Sequence, residues 1–215
     1  WWAKNRMPLY NEIANIPLFF YHPDLKQYQG EQRNVVTQNI DLMPTFLDMH
    51  GHSIPSEVKG KSLLNYLHKD TDKKFTALYG YWGGGINITD GEYSYFHYPE
   101  NFSQQNPDRY QYTLMPTHMR QFFSNEELQT ATLHKPFSFT KNIPVLKINR
   151  IEKKTDGGYK GFEDTKSALY NLNNDPGQLS KIDDKNKCDE YKKMMIEIIN
   201  EYDPPKELIK NYFDN

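Results

Sequence analysis

Ile16-Pro17-Leu18-Phe19-Phe20-Tyr21 is the longest apolar run in the chain. A short continuous run of this kind, closed by His22-Pro23-Asp24, predicts a buried strand ending in a turn. Residues 24–34 are polar and form an exposed connection. Leu42, Phe46 and Met49 then recur at helical spacing behind Asp41, which is placed to cap a helix, with Pro44 early enough to lose no helical bond and Gly51 as the stop. Ser62 heads a shorter helix carrying Leu63, Leu64 and Leu67. After about residue 70 the pattern changes to strands, at Phe75 to Trp82, Ile86 to Thr89 and Glu92 to Tyr98. Asp90-Gly91 between the last two is a hairpin signal, since a type I′ turn needs positive φ at both central positions. Tyr93, Tyr95 and His97 alternate with Ser94, Phe96 and Tyr98, so rings on both faces predict a strand packed on both sides or beside a cleft.

Residues 99–142 lack a clear period, apart from one helical turn at Asn125 to Thr130; so long an aperiodic stretch points to a functional excursion or a missed element. Val145 to Ile148 and Ala168 to Leu172 read as further strands, with Lys153 to Gly161 as the polar tip of a hairpin between them. Asn173 to Gly177 is a turn. Tyr191, Met194, Met195, Ile198, Ile199 and Tyr202 form the apolar stripe of a charged helix that stops at Asp203-Pro204-Pro205. A last short helix carries Leu208, Ile209, Tyr212 and Phe213. The strands make an antiparallel meander, not a βαβ unit.

Composition narrows the function classes. The 215 residues are enough to bury a core. With 14% aromatic residues the chain is too rich in rings for disorder. A net charge of -2 offers no positive excess for nucleic acid. One cysteine excludes a disulfide framework and a Cys-rich zinc module. Even the longest apolar run is too short to cross a bilayer as a helix, so neither a nucleic acid nor a membrane is an expected partner. The chain begins at Trp1, not Met, with no basic segment leading into a long apolar one. It is therefore expected to be a piece of something longer. Its compartment stays open, with the single cysteine favouring the cytoplasm.

The chemistry-bearing residues are sparse. Gly83-Gly84-Gly85 lacks the Gly-Lys-Ser/Thr that a phosphate cradle needs and reads as a flexible turn. Cys188, among charged neighbours and with no histidine beside it, reads as an ordinary thiol. His50 and His52 are the only close histidine pair, and their spacing does not fit one helical face. No metal site is expected within this chain. His118 lies in the aperiodic excursion, where a substrate contact and a satisfied structural histidine are both open.

Three ordered segments carry a resemblance. The first is Trp2-Ala3-Lys4, Leu9-Tyr10-Asn11-Glu12 and Ile16-Pro17-Leu18. The second is Asp41-Leu42-Met43-Pro44-Thr45-Phe46-Leu47 followed by Gly60-Lys61-Ser62-Leu63-Leu64. The third is Thr89-Asp90-Gly91-Glu92-Tyr93, with Ala168-Leu169-Tyr170-Asn171-Leu172 and Asp175-Pro176-Gly177 later. In this order they resemble the C-terminal part of the formylglycine-dependent sulfatases of the alkaline-phosphatase superfamily, over residues 1 to about 180.

The resemblance implies an α/β fold (α+β as a fragment). Residues 1–68 would end a mixed-sheet α/β catalytic domain, and residues 69–215 would form a smaller antiparallel-sheet subdomain with a C-terminal helix. It also implies hydrolysis of sulfate esters, with a formylglycine nucleophile and a calcium-type divalent cation supplied by a preceding part, so that this piece alone is inactive. Lys4 matches the family lysine that binds a sulfate oxygen; a solvated lysine is the competing account. Trp82, His97 and His118 are candidate walls of the substrate cleft, with core packing the rival account of Trp82 and His97. The implied partner is a sulfated small molecule or glycan. A strand cut from its sheet also implies a dimer or strand exchange of the fragment. A phosphate or phosphonate ester hydrolase of the same superfamily, or a non-catalytic binding module, remains the alternative.

Overall fold

The computed structural model describes residues 8–69, 74–80, 84–99, 110–115, 117–118, 121–149 and 166–214. Along them run helices α1 (Asn11–Ala14), α2 (Leu42–Met49) and α3 (Leu64–His68), then strands β1 (Ala77–Gly80), β2 (Ile86–Thr89), β3 (Tyr93–His97) and β4 (Tyr110–Thr113). These are followed by α4 (Asn125–Gln129), β5 (Thr132–His134), β6 (Val145–Asn149), β7 (Ala168–Asn171), α5 (Lys185–Asn200) and α6 (Lys206–Phe213). Helices and antiparallel sheets are thus mixed in the way the sequence pattern predicts. The chain divides into two compact units, Trp1–His97 with Lys166–Met195, and Tyr98–Thr165 with Ile196–Asn215.

The first unit is built on a four-stranded sheet of order β1-β2-β3-β7, antiparallel throughout. Its β2–β3 loop is the expected hairpin with different turn chemistry. Asp90 Oδ1 accepts the N–H groups of Glu92 (2.9 Å) and Tyr93 (2.8 Å), and the Thr89 hydroxyl donates to the Tyr93 carbonyl (2.7 Å). Only Gly91 takes positive φ, at 90°. An Asx-type turn has replaced the type I′ turn, because the Asp90 side chain supplies the turn's acceptor.

Strand β3 is covered on both faces. Phe96 points to Tyr10 and Tyr170, each with a centroid separation of 5.4 Å, whereas Tyr93 on the opposite face meets Tyr191 of α5 at 6.1 Å. Tyr191, Met195 and Ile199 of the predicted α5 stripe are all buried.

The Ile16–Tyr21 run is not a buried strand. It is irregular backbone with its apolar side chains outward, Phe19 being 93% exposed. A strand needs a neighbour to take its backbone groups. Among the described residues, neither sheet offers this run one.

Around α2 the predicted positions hold, but their roles shift. Asp41 is only 2% exposed and its carboxylate does not cap α2. It accepts the N–H groups of Gln38 (2.8 Å) and Lys61 (2.9 Å). The Thr45 hydroxyl donates to the Asp41 carbonyl (2.6 Å) and accepts from Leu63 N–H (2.9 Å). Gly60 makes this approach possible, since a Cβ there would collide with the Ile40 carbonyl. The buried face of α2 is therefore Pro44 and Thr45, and Phe46 of the predicted stripe lies 53% exposed. Ser62 sits one residue ahead of the α3 cap position; its hydroxyl accepts from Leu64 N–H (3.3 Å) and donates to Asp48 (2.5 Å).

The second unit holds a three-stranded antiparallel sheet of order β4-β6-β5. Strands β6 and β7 are not a hairpin. Both edges of β6 are taken by β4 and β5, and β7 pairs with β3 in the other sheet. The proposed tip, Lys153 to Gly161, lies outside the described residues. Helix α6 buries Tyr212 and Phe213, and the turn before it is tied by Ser138 N–H donating to Asp203 (2.7 Å).

Candidate functional site

Lys4 and Trp82 lie outside the described residues. His97 ends β3, opposite Ile86 of β2, and is 6% exposed. Its Nδ1 is 3.3 Å from the Tyr95 hydroxyl and the two rings are 6.0 Å apart. Burial, with Cys188 and Asp189 as nearby negative groups, pushes the Tyr95 phenol up to about 12. The Tyr95 hydroxyl therefore keeps its proton at neutral pH.

His118 belongs to the second unit. An antiparallel bridge pairs Thr117 with Phe122, and His118 follows Thr117. The imidazole packs at 4.3 Å on Phe123, which is buried, and its Nε2 is 2.9 Å from Oε1 of Glu127. Glu127 is itself fixed. Ser124 caps α4, its hydroxyl accepting Glu127 N–H (3.2 Å), while Glu127 Oε2 accepts Ser124 N–H (2.8 Å). This is a reciprocal capping box. Burial alone would raise the Glu127 carboxyl; the Ser124 N–H, His118 and the Ser124 hydroxyl outweigh it and hold the group below its ordinary value. Ser124-x-x-Glu127 is visible in the sequence as a capping signature. Its link to His118 is not, because nothing in the pattern says that the loop folds back onto α4.

A second anchored carboxylate lies where α6 meets β4 and β6. Glu207 accepts from the Tyr112 hydroxyl (2.7 Å) and from the Lys147 ammonium, which also sits 3.8 Å from the Tyr110 ring centroid. Burial would raise Glu207, but Lys147, its own N–H and Tyr112 together lower it. A carboxyl lowered on folding contributes stability above its unfolded pKa and loses it as pH falls through the folded value. Glu207→Gln is therefore expected to destabilise the chain by about 1–3 kcal/mol at neutral pH. Wild type and variant should converge in urea melts as the pH drops below the ordinary carboxylate range. A gap that persists in acid would show that Glu207 acts by packing.

Cys188 is half-buried, and burial with Asp184, Asp189 and Asp183 raises its thiol pKa, which suits an inert thiol. His50 and His52 are exposed at the end of α2. Among the described residues no group of three or more His, Cys, Asp or Glu side chains could hold a metal ion. The donor set in these residues does not fit a calcium-type centre, which needs six or more oxygens.

With the geometry in place, comparison with known proteins assigns the chain to a class. The profile of the family described as N-sulphoglucosamine sulphohydrolase, C-terminal, matches residues 1–142, and the chain belongs to that family. It is similar to a Delta 4,5-hexuronate-2-O-sulfatase of Bacteroides thetaiotaomicron, 33% identical over 73 residues, which is 34% of this chain and 15% of that protein. An N-acetylglucosamine-6-O-sulfatase of the same organism is 31% identical over 86 residues, or 38% of this chain and 15% of that protein. A protein solved in complex with its substrate D-glucosamine-2-N,6-O-disulfate aligns at 16% identity and a TM-score of 0.35, covering 81% of this chain and 24% of that one. The matched part of each curated relative is a small share of its length.

Proposed function

We propose that this chain is the C-terminal part of a sulfatase that hydrolyses sulfate esters of a sulfated saccharide. The family match over residues 1–142 carries the reading, and the two related sulfatases support it. The formylglycine nucleophile and the calcium-type cation would come from a preceding catalytic part, with residues 1–68 completing that part and residues 69–215 forming the smaller subdomain. The outward Ile16–Tyr21 side chains suit a segment that the rest of the protein covers.

Lys4 is the residue that brings charge to the reaction. A fixed ammonium against a sulfate oxygen offsets negative charge as the ester bond breaks. Trp82 and His118 are the residues that would contact the saccharide, whereas His97, 6% exposed beside Tyr95, packs in the core. The chain by itself is expected to release no sulfate, because it carries neither the nucleophile nor a metal centre among its described residues.

The test is sulfate release from N-acetylglucosamine 6-sulfate by the longer protein that contains this chain, with the matching phosphate ester as the comparison. Lys4→Ala should lower kcat about 100-fold. A longer protein that cleaves only the phosphate ester would place it in the sister class. Unchanged turnover in the Lys4 variant would remove that lysine from the reaction.

A further inference from the structure

His118, next to the Thr117–Phe122 bridge, makes a pairing that the family resemblance does not predict. Glu127 is anchored on α4 by Ser124 and turns its second oxygen to His118 Nε2 at 2.9 Å. Its carboxyl is held below the ordinary value, so at neutral pH it is an acceptor only. The proton in that contact must then belong to Nε2. Phe122, at the other end of the bridge, leaves its ring 84% exposed.

We infer that Glu127 is a positioning residue: by accepting the Nε2–H of His118 it fixes one tautomer and leaves Nδ1 as a hydrogen-bond acceptor for a saccharide hydroxyl. This rests on the reading of the chain as part of a saccharide sulfatase and deepens it. His118 Nδ1 has no partner among the described residues. The carboxylate–imidazole pair does for this histidine what such pairs do elsewhere, choosing which nitrogen carries the proton and how the ring is turned.

Glu127→Gln tests the assignment sharply, because one amide cannot do what two carboxylate oxygens do. If its oxygen stays on Ser124 N–H, its NH2 group faces His118 Nε2 and forces the proton to Nδ1. Long-range 1H–15N NMR of the 215-residue chain, followed towards alkaline pH until the His118 nitrogen shifts stop moving, should show the Nε2–H tautomer in wild type and its inversion in Glu127→Gln. N-acetylglucosamine 6-sulfate should shift the His118 Nδ1 resonance in wild type and not in the variant. Ser124→Ala weakens the α4 cap and should lower stability while leaving the tautomer in place, which separates positioning from general damage. In the longer protein, Glu127→Gln should raise KM about three- to tenfold, the worth of one hydrogen bond, with kcat unchanged. An Nδ1–H tautomer in wild type, or no response to the sugar with an unchanged KM, overturns the inference. A longer protein that releases no sulfate overturns the sulfatase reading instead, and the NMR result still decides the role of Glu127.

Discussion

Phe96→Ala is expected to destabilise the four-stranded unit by about 3–5 kcal/mol, the usual cost of emptying a buried aromatic site. Phe96 is 1% exposed on the inner strand β3. On the same face its cross-strand partners are Asn87 and Ala168, and Tyr10 and Tyr170 close over its ring. The alanine neighbour is too small to fill the void, and β3 is held on both sides by sheet hydrogen bonds, so the site collapses poorly. Tyr10 immediately precedes α1, whose Asn11 N–H donates to the Gln178 side chain at 2.6 Å. The cavity therefore also loosens the seat of α1 between the sheet and the Asp175-Pro176-Gly177-Gln178 turn. Urea denaturation of wild type, Phe96→Leu and Phe96→Ala provides the measure. Phe96→Leu should lie between the other two, and an alanine variant within about 1 kcal/mol of wild type would show that the ring is not part of the stabilising core.

The elements that could be read from the sequence are those whose local chemistry agrees with their packing. β2 and β3 flank Asp90-Gly91, and the α5 stripe buries Tyr191, Met195 and Ile199 as its spacing requires. The failures have distinct physical causes. Ile16–Tyr21 has the composition of a strand, but composition does not provide a neighbour. β4 (Tyr-Gln-Tyr-Thr) and β5 (Thr-Leu-His) are too short to show a period, and only the pairing of both with β6 defines them. In α2 the buried positions are a proline and a threonine, because the threonine hydroxyl has a backbone partner there; an apolar stripe reading passes over such a position. As for the site, the motifs that resemble sulfatases were legible as ordered fragments. The His118–Glu127 contact was not, since it joins residues nine apart through a loop with no periodic signal.

Asp41→Ala should cost about 3–5 kcal/mol, and Asp41→Asn roughly half of that, because an amide keeps one acceptor oxygen where the carboxylate has two. The two motifs around α2, Asp41-Leu42-Met43-Pro44-Thr45 and Gly60-Lys61-Ser62-Leu63, are the two sides of one hydrogen-bonded clasp. Asp41 holds Gln38 and Lys61, Thr45 holds Leu63, and Ser62 reaches back to Asp48. Lys61 is drawn in with its backbone; its ammonium donates to the Val36 carbonyl at 3.2 Å and lies 3.1 Å from the Phe75 ring centroid. Removing the Asp41 carboxylate takes the acceptor from two part-buried backbone N–H groups, which costs more than losing an exposed ion pair would. Amide hydrogen exchange localises the effect. Protection of Lys61 should fall sharply in Asp41→Ala and that of Leu63 much less, since Thr45 still donates to the main-chain carbonyl of residue 41, which alanine keeps. Protection in β3 should persist, because its ladder to β2 and β7 does not pass through the clasp. Equal loss of protection at Lys61 and in β3 would show instead that the clasp and the sheet unfold as one cooperative unit, and the cost would then have to be assigned to the whole unit and not to the two bonds.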